Sequence, residues 1–202
     1  LELNMYQLPV RFDIPGKDIE LEYCDLVADI RARLRIPLAV KISAYFTSLP
    51  HFARRLEKAG ADSLVLFNRF YQPDFDLETL DVEPRLQLSS PEELRLRLHW
   101  VAMLFENVGC HLAVTGGVHS GSDALKGILA GAHAIMTTSA LLSKGPGHLR
   151  VMEQEMRAWM EEHGYSSAAE MRGAMSARRA GSAAFVRANY MKVLSGYVMR
   201  GA

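Results

Sequence analysis

Apolar positions along this chain switch between two rhythms, one of two residues in short bursts and one of three to four over longer stretches. Leu3 to Tyr6 forms a short strand pattern, after which Pro9, Pro15 and Gly16 interrupt regular structure. Asp18 reads as a helix cap, and Ile19, Tyr23, Leu26, Ile30 and Leu34 then recur at spacings of three and four, predicting a helix as far as Leu34. The grammar repeats: Leu38 to Ile42 is a buried-strand pattern, and a helix carrying Phe52, Leu56 and Ala59 on one side ends at Gly60. Ser63 to Phe67 is a third strand. Arg69 to Ser90 is a polar and aromatic excursion, a loop with room for short strands and the character of a lid or substrate-facing segment. Pro91 opens a helix with Leu94, Leu98, Val101, Phe105 and Val108 on one stripe. Leu112 to Thr115 is the fourth strand, Ser122 to about Ala130 a helix, and His133 to Thr137 the fifth strand. Leu149, Met152, Met156 and Trp159 mark a further long helix.

Strands alternating with helices imply a parallel sheet with right-handed crossovers, either open and doubly wound or closed as a barrel. The GxGxxG turn of a dinucleotide-binding unit is missing after the first strand, whereas Gly116-Gly117 and Thr138-Ser139 end the last two. Phosphate sites of (β/α)8 barrels occupy that place, so the pattern favours an α/β fold of the (β/α)8 TIM-barrel kind. Closure needs eight strands, and only five are legible. The expectation is a single domain over residues 1–202, the C-terminal part of a barrel incomplete at its N-terminus, with a helical extension over about 166–202. Either an upstream portion of a longer protein or another chain completes it. The chain opens on Leu1, inside the strand pattern.

Composition narrows the classes. With 202 residues and 49% hydrophobic content the chain can bury a sizeable core. Lys plus Arg and Asp plus Glu both total 23, so no overall field favours nucleic acid or an anionic membrane. No apolar run reaches the roughly 18 residues of a membrane span, and the charged opening does not resemble a signal peptide, giving a cytoplasmic expectation. Cys24 and Cys110 read as reduced structural thiols, and the seven histidines show no metal-binding spacing. Exposed sheet edges would favour a homo-oligomer.

The candidate chemistry is anion binding. In Thr115-Gly116-Gly117-Val118, glycines let backbone N–H groups approach a phosphate, and Thr137-Thr138-Ser139 offers hydroxyls and amides one barrel step away. Each half has a plainer reading, a tight turn for the glycines and a helix cap for the hydroxyls. Lys41, inside an apolar strand, should meet an anion, an electron-rich cofactor or water at the strand end. Asn4 and Asn68 end apolar strands on the face where barrel active sites are built; an amide there can read a ligand or tie down a loop.

Leu1-Glu2-Leu3-Asn4, Ala39-Val40-Lys41-Ile42-Ser43-Ala44-Tyr45-Phe46, Leu66-Phe67-Asn68, Thr115-Gly116-Gly117-Val118 and Thr138-Ser139-Ala140-Leu141, in this order, resemble the dihydroorotate dehydrogenase family from its fourth strand onward. The predicted Ser166 to Arg178 helix and Asn189-Tyr190-Met191-Lys192 suggest its dehydrogenase-like subgroup. The resemblance implies an FMN-dependent oxidoreductase of pyrimidine biosynthesis, oxidising dihydroorotate or a related small anionic substrate by proton removal at C5 and hydride transfer from C6 to the flavin. It further implies that Lys41 contacts the flavin ring, that Gly116, Gly117, Thr138 and Ser139 hold the phosphate, and that Asn4 and Asn68 bind orotate. Ser90 aligns with a family glycine beside FMN. The departures are Tyr6-Gln7-Leu8-Pro9, where the family carries its catalytic base and a substrate asparagine, and Arg69 in place of a small hydroxyl residue. Gln7 stands at the base position and a neutral amide cannot accept the proton; Tyr6 is a weak substitute, because phenols ordinarily ionise near pH 10. A non-catalytic FMN- or partner-binding fragment and a flavin-independent phosphate-binding barrel enzyme are the alternatives.

Overall fold

The computed structural model describes residues 1–70, 72–181 and 185. Its centre is a five-stranded parallel sheet of β1 (Glu2–Asn4), β2 (Ala39–Ile42), β3 (Ser63–Leu66), β6 (His111–Thr115) and β7 (Ala134–Met136), ordered as in the chain. Between them run α1 (Gly16–Arg33), α2 (Leu49–Lys58), a small hairpin of β4 (Asp74–Asp76) and β5 (Asp81–Glu83), a 3-10 turn (Pro91–Glu93), α3 (Leu94–Leu104) and α4 (Gly121–Ala130). After β7 come α5 (Ser139–Lys144), α6 (His148–Glu162), α7 (Ala168–Met171) and α8 (Ala177–Ala180). Parallel crossovers are right-handed as a rule, and with a strand order that never reverses this puts the helices on one face. Val40, Ile42, Leu64, Leu66, Leu112 and Val114 point there and are all 0–1% exposed. They meet Phe52 and Leu56 of α2 and Val101 of α3 in one apolar cluster. Alternate residues face the other way: the register Asn4, Lys41, Val65, Ala113, Ala134 runs across all five strands. That face carries small, polar and charged side chains together with the apolar Val65 and Met136.

Several elements differ from their sequence expectation for identifiable reasons. The first helix starts at Gly16 behind Pro15, which pre-sets the entry, so Asp18 lies in the first turn rather than at the cap. Leu26 fits the period yet is 45% exposed, since the helix buries only the narrower stripe of Tyr23, Cys24 and Val27. The Arg69 to Ser90 excursion does hold two short strands, with Phe75 opposite Val82. Helix α5 was hidden by its length of one and a half turns. The single helix expected from Ser166 to Arg178 is two short ones, because Gly173 takes φ +74° and the chain turns to make backbone bonds: Gly173 N–H to Ile128 O (3.0 Å) and Met175 N–H to Leu129 O (2.8 Å). Met175 thereby fills the Leu129 carbonyl in the last turn of α4, and Gly173 is a second donor to Ile128 O, which also accepts from the C-cap Gly131 N–H (2.9 Å). The Asn189 to Lys192 segment lies outside the described residues. No helix among the described residues is long and apolar enough to cross a membrane. Cys24 and Cys110 are buried, unpaired thiols, and burial pushes Cys110 up to about 12.

Candidate functional site

The carboxyl ends of β2, β3, β6 and β7 open onto a cavity of about 290 Å³. Its lining includes Lys41, Asn68, Gly116, Gly117, Thr138 and Ser139, with Arg69, Gln87, Ser89 and Thr115 among the remainder. Four separate strand ends therefore deliver to one place the residues that the sequence singled out for cofactor and substrate contact, apart from Asn4 and Ser90. Asn4 is exposed and lines a different depression with Tyr6, Gln7 and Tyr23. Gln7 is exposed, and its backbone N–H donates to the Tyr23 hydroxyl (3.2 Å). The Tyr6 ring lies 5.6 Å from that of Phe70, at a larger cavity shared with Arg69, Arg85 and Gln87.

Each predicted residue is held by specific partners. Lys41 Nζ pairs with Glu2 Oε1 at 3.3 Å across β1 and β2, so the anion its burial demanded is supplied by the chain itself. Asn68 is 8% exposed and its Nδ2 donates to Met5 O (3.0 Å) and Lys41 O (3.4 Å). The amide thus ties three strand ends together while lining the cavity. Gly116 and Gly117 have φ of +85° and +79°. A Cβ on Gly116 would lie 2.9 Å from Arg97 Nη2, and one on Gly117 would lie 2.3 Å from Leu94 N. The glycines are therefore needed to seat the turn on the head of α3 as well as to bare its amides. Thr138 is exposed and stands at the N-cap of α5 without a side-chain capping bond. Thr137 Oγ1 donates to Val118 O (2.8 Å), lacing the glycine and hydroxyl halves together.

Ser90 lies apart from the cavity. It is exposed and opens the 3-10 turn, its N–H donating to Glu93 Oε1 (3.2 Å) in a capping box, and it is not among the cavity residues. Its neighbour Ser89 takes the inward position. Ser89 is 6% exposed; its Oγ accepts from Gly117 N–H (3.3 Å), donates to Ser139 Oγ (2.9 Å) and sits 3.3 Å from His119 Nε2, while its N–H donates to Ser139 Oγ (3.0 Å). The Ser-x-x-Glu signature at Ser90 and Glu93 could have assigned Ser90 to a cap and left Ser89 facing the site.

A second group that spacing alone had not flagged is ionic. Arg97 is 5% exposed, its Nε donating to Thr115 O (3.0 Å) and its Nη1 to Glu93 O (2.7 Å). Burial holds its pKa below the usual guanidinium value, with the nearby Glu93 carboxylate opposing. Glu93 also receives Arg69, Nε to Oε2 and Nη2 to Oε1, both at 3.1 Å. Arg69 Nη1 donates to Gln87 O, joining the end of β3 to the far limb of the excursion. The available signal was position: Arg97 lies three residues after Leu94 and four before Val101, on the buried stripe.

A phosphate ester is the ligand these donors suit, as the turn amides, two serine hydroxyls, Lys41 and Arg69 converge without a lining carboxylate. In comparison with known proteins, the family model described as dihydroorotate dehydrogenase matches residues 15–160. This chain belongs to the dihydroorotate dehydrogenase family. Similar curated proteins include the dihydroorotate dehydrogenase B (NAD(+)) catalytic subunit of Pelobacter propionicus, 33% identical over 155 residues, 74% of this chain and 50% of that protein. Its counterpart from Thermoplasma volcanium is 29% identical over 154 residues, again 74% and 50%. Dihydroorotate dehydrogenase A (fumarate) of Lacticaseibacillus paracasei is 34% identical over 116 residues, 55% of this chain and 39% of that protein. The chain spans about half the length of the first two relatives. The stretch matched by the dihydroorotate dehydrogenase model contains all six predicted cavity residues, whereas Asn4, Tyr6 and Gln7 precede it.

Proposed function

We propose that the chain supplies strands four to eight of a closed (β/α)8 barrel that binds FMN and acts as an oxidoreductase on dihydroorotate or a related small anionic compound. The observation that carries this reading is the meeting of Lys41, Asn68, Gly116, Gly117, Thr138 and Ser139, from four strand ends, in one cavity. Residues 1–202 then form one domain with the segment from about 166 as its helical extension, and the remaining three strands come from upstream residues or from another chain. FMN held in that cavity would supply the hydride-accepting chemistry. The Gly116-Gly117 amides and the Thr138 and Ser139 groups hold its phosphate, Ser89 Oγ yielding Gly117 N–H to it. Lys41 faces the ring, where a cation stabilises the reduced form. Asn68, whose NH2 is committed to backbone, offers its Oδ1 to the substrate, and Asn4 contributes from the neighbouring strand.

A non-catalytic binder is the second reading, favoured by Gln7. The amide is neutral, and the nearby phenol of Tyr6 lies against Phe70 rather than over the cavity that holds Lys41. A visible absorption spectrum with added FMN tests both, on the chain as it stands and joined to three upstream βα units. Protein-bound flavin bands that bleach anaerobically with dihydroorotate support the dehydrogenase. Bands that bleach with neither dihydroorotate nor related acids support the binder, and failure of both proteins to bind FMN overturns the flavoprotein reading.

A further inference from the structure

The dehydrogenase reading uses the glycine turn and leaves unexplained the guanidinium directly behind it. Arg97 is nearly removed from solvent, and its closest carboxylate oxygen, Glu93 Oε2, is 3.6 Å from Nη2. That carboxylate is shared, because it also holds Arg69 at 3.1 Å. One negative charge thus serves two positive ones. A guanidinium keeps its proton in a protein, so Arg97 cannot relieve the imbalance by neutralising, as a buried lysine could. The guanidinium packs directly against the glycine turn, since a Cβ on Gly116 would come within 2.9 Å of Nη2, and it also lines a second cavity with Arg69 and Glu93. An anion resting on the turn would therefore lie near a largely desolvated cation, where water screens the attraction poorly. The other cation on the same strand face, Lys41, already has Glu2 as its partner.

We infer that Arg97 is a positioning residue for a phosphate group: held by Thr115 O and Glu93 O beneath Gly116, it supplies the uncompensated positive charge that makes the turn select phosphorylated ligands over their neutral analogues. The inference rests on the flavin reading for the ligand's identity, but not for its phosphate. Loss of this charge should act on the phosphate alone, which separates it from a tether between α3 and β6.

The test compares FMN with riboflavin, which lacks the phosphate, by flavin fluorescence quenching on the full chain. In Arg97→Gln the ratio of FMN to riboflavin affinity is expected to fall about tenfold or more, equivalent to about 1.4 kcal/mol or more, while riboflavin affinity stays put and Arg97→Lys keeps most of the ratio. Equal losses for both flavins, or an unchanged ratio, would overturn the inference. Glu93→Gln leaves Arg97 in place and removes its partial counter-charge, so the ratio should rise; this decides the matter if Arg97→Gln does not fold, and a constant ratio there counts against Arg97. If the unaltered chain binds neither flavin, thermal protection by inorganic phosphate becomes the readout. Protection lost in Arg97→Gln and kept in Arg97→Lys would uphold the phosphate role while the flavin reading fails, and no protection of the unaltered chain would end both.

Discussion

Leu64 and Ser63 are neighbours on β3, yet they belong to different parts of the protein. Leu64 turns to the helices and is fully buried in the apolar cluster; Ser63 turns to the face that carries Ala39, Lys41 and Thr115. The helix-covered face is apolar at every inward position of β2, β3 and β6, whereas the opposite face mixes small, hydroxyl and charged groups that lead to the cavity at its carboxyl rim. A strand's period of two lets one segment satisfy both demands. Stability is concentrated on the first face and ligand chemistry on the second.

Substitutions can break that division. The largest effect is expected for Leu64→Ala, a loss of about 2 to 5 kcal/mol in chemical denaturation from lost burial and the cavity left behind. Ser63→Ala should change stability by less than about 0.5 kcal/mol, and comparable costs for the two would dissolve the distinction. Asn68→Ala comes next, since its amide belongs to both halves. It should destabilise by about 1 to 3 kcal/mol through an unpaired Met5 carbonyl and the lost second donor to Lys41 O, which keeps Met5 N–H, and weaken orotate binding by a similar amount; intact orotate affinity in titration would leave Asn68 a strand tie only. Ser89→Ala should cost about 1 kcal/mol in the ligand-free chain. With FMN bound the deficit should shrink, because the phosphate takes over Gly117 N–H, and a melting-temperature deficit unchanged by FMN would argue against that exchange.

The smallest effect concerns the amino end of the strands. His133 is pushed down to about 4 by burial, with His111 and Arg172 nearby, and its Nδ1 accepts Leu112 N–H (3.2 Å), which requires the unprotonated nitrogen. An unfolded histidine titrates near 6.5. Between about pH 6.5 and 4 the unfolded chain therefore binds more protons, so this stabilisation is complete above that window and is lost as pH falls through it. Because the ring is partly exposed, the loss is on the order of 1 kcal/mol or less. The slope of denaturation midpoint against pH should flatten in His133→Asn, and an identical slope would remove His133 as its source.

Much of the architecture was legible because the strands β2, β3 and β6 are short apolar bursts and the helices between them keep a clear period. Lys41, Asn68, Gly116, Gly117, Thr138 and Ser139 could be singled out because each breaks or ends such a pattern. Arg97 obeys the period of α3 and looks like a chance polar residue until Thr115 O and the Glu93 groups are seen around it. Ser89 was hidden for a related reason: its partners Gly117, His119 and Ser139 are 28, 30 and 50 residues away, beyond any local spacing rule. The break at Gly173 had the same origin, as its cause lies on α4.

That junction has a consequence for the order in which the protein is made. The carbonyl of Leu129 finds its donor at Met175, and that of Ile128, already served by Gly131 N–H, gains a second one at Gly173, more than forty residues later. While the ribosome is still adding the intervening α6, Leu129 O at the end of α4 must rely on water for that bond. A nascent chain stopped short of Met175 is thus expected to carry a frayed α4 next to the glycine turn, and the late-made segment acts as the clasp that completes an element synthesised long before it.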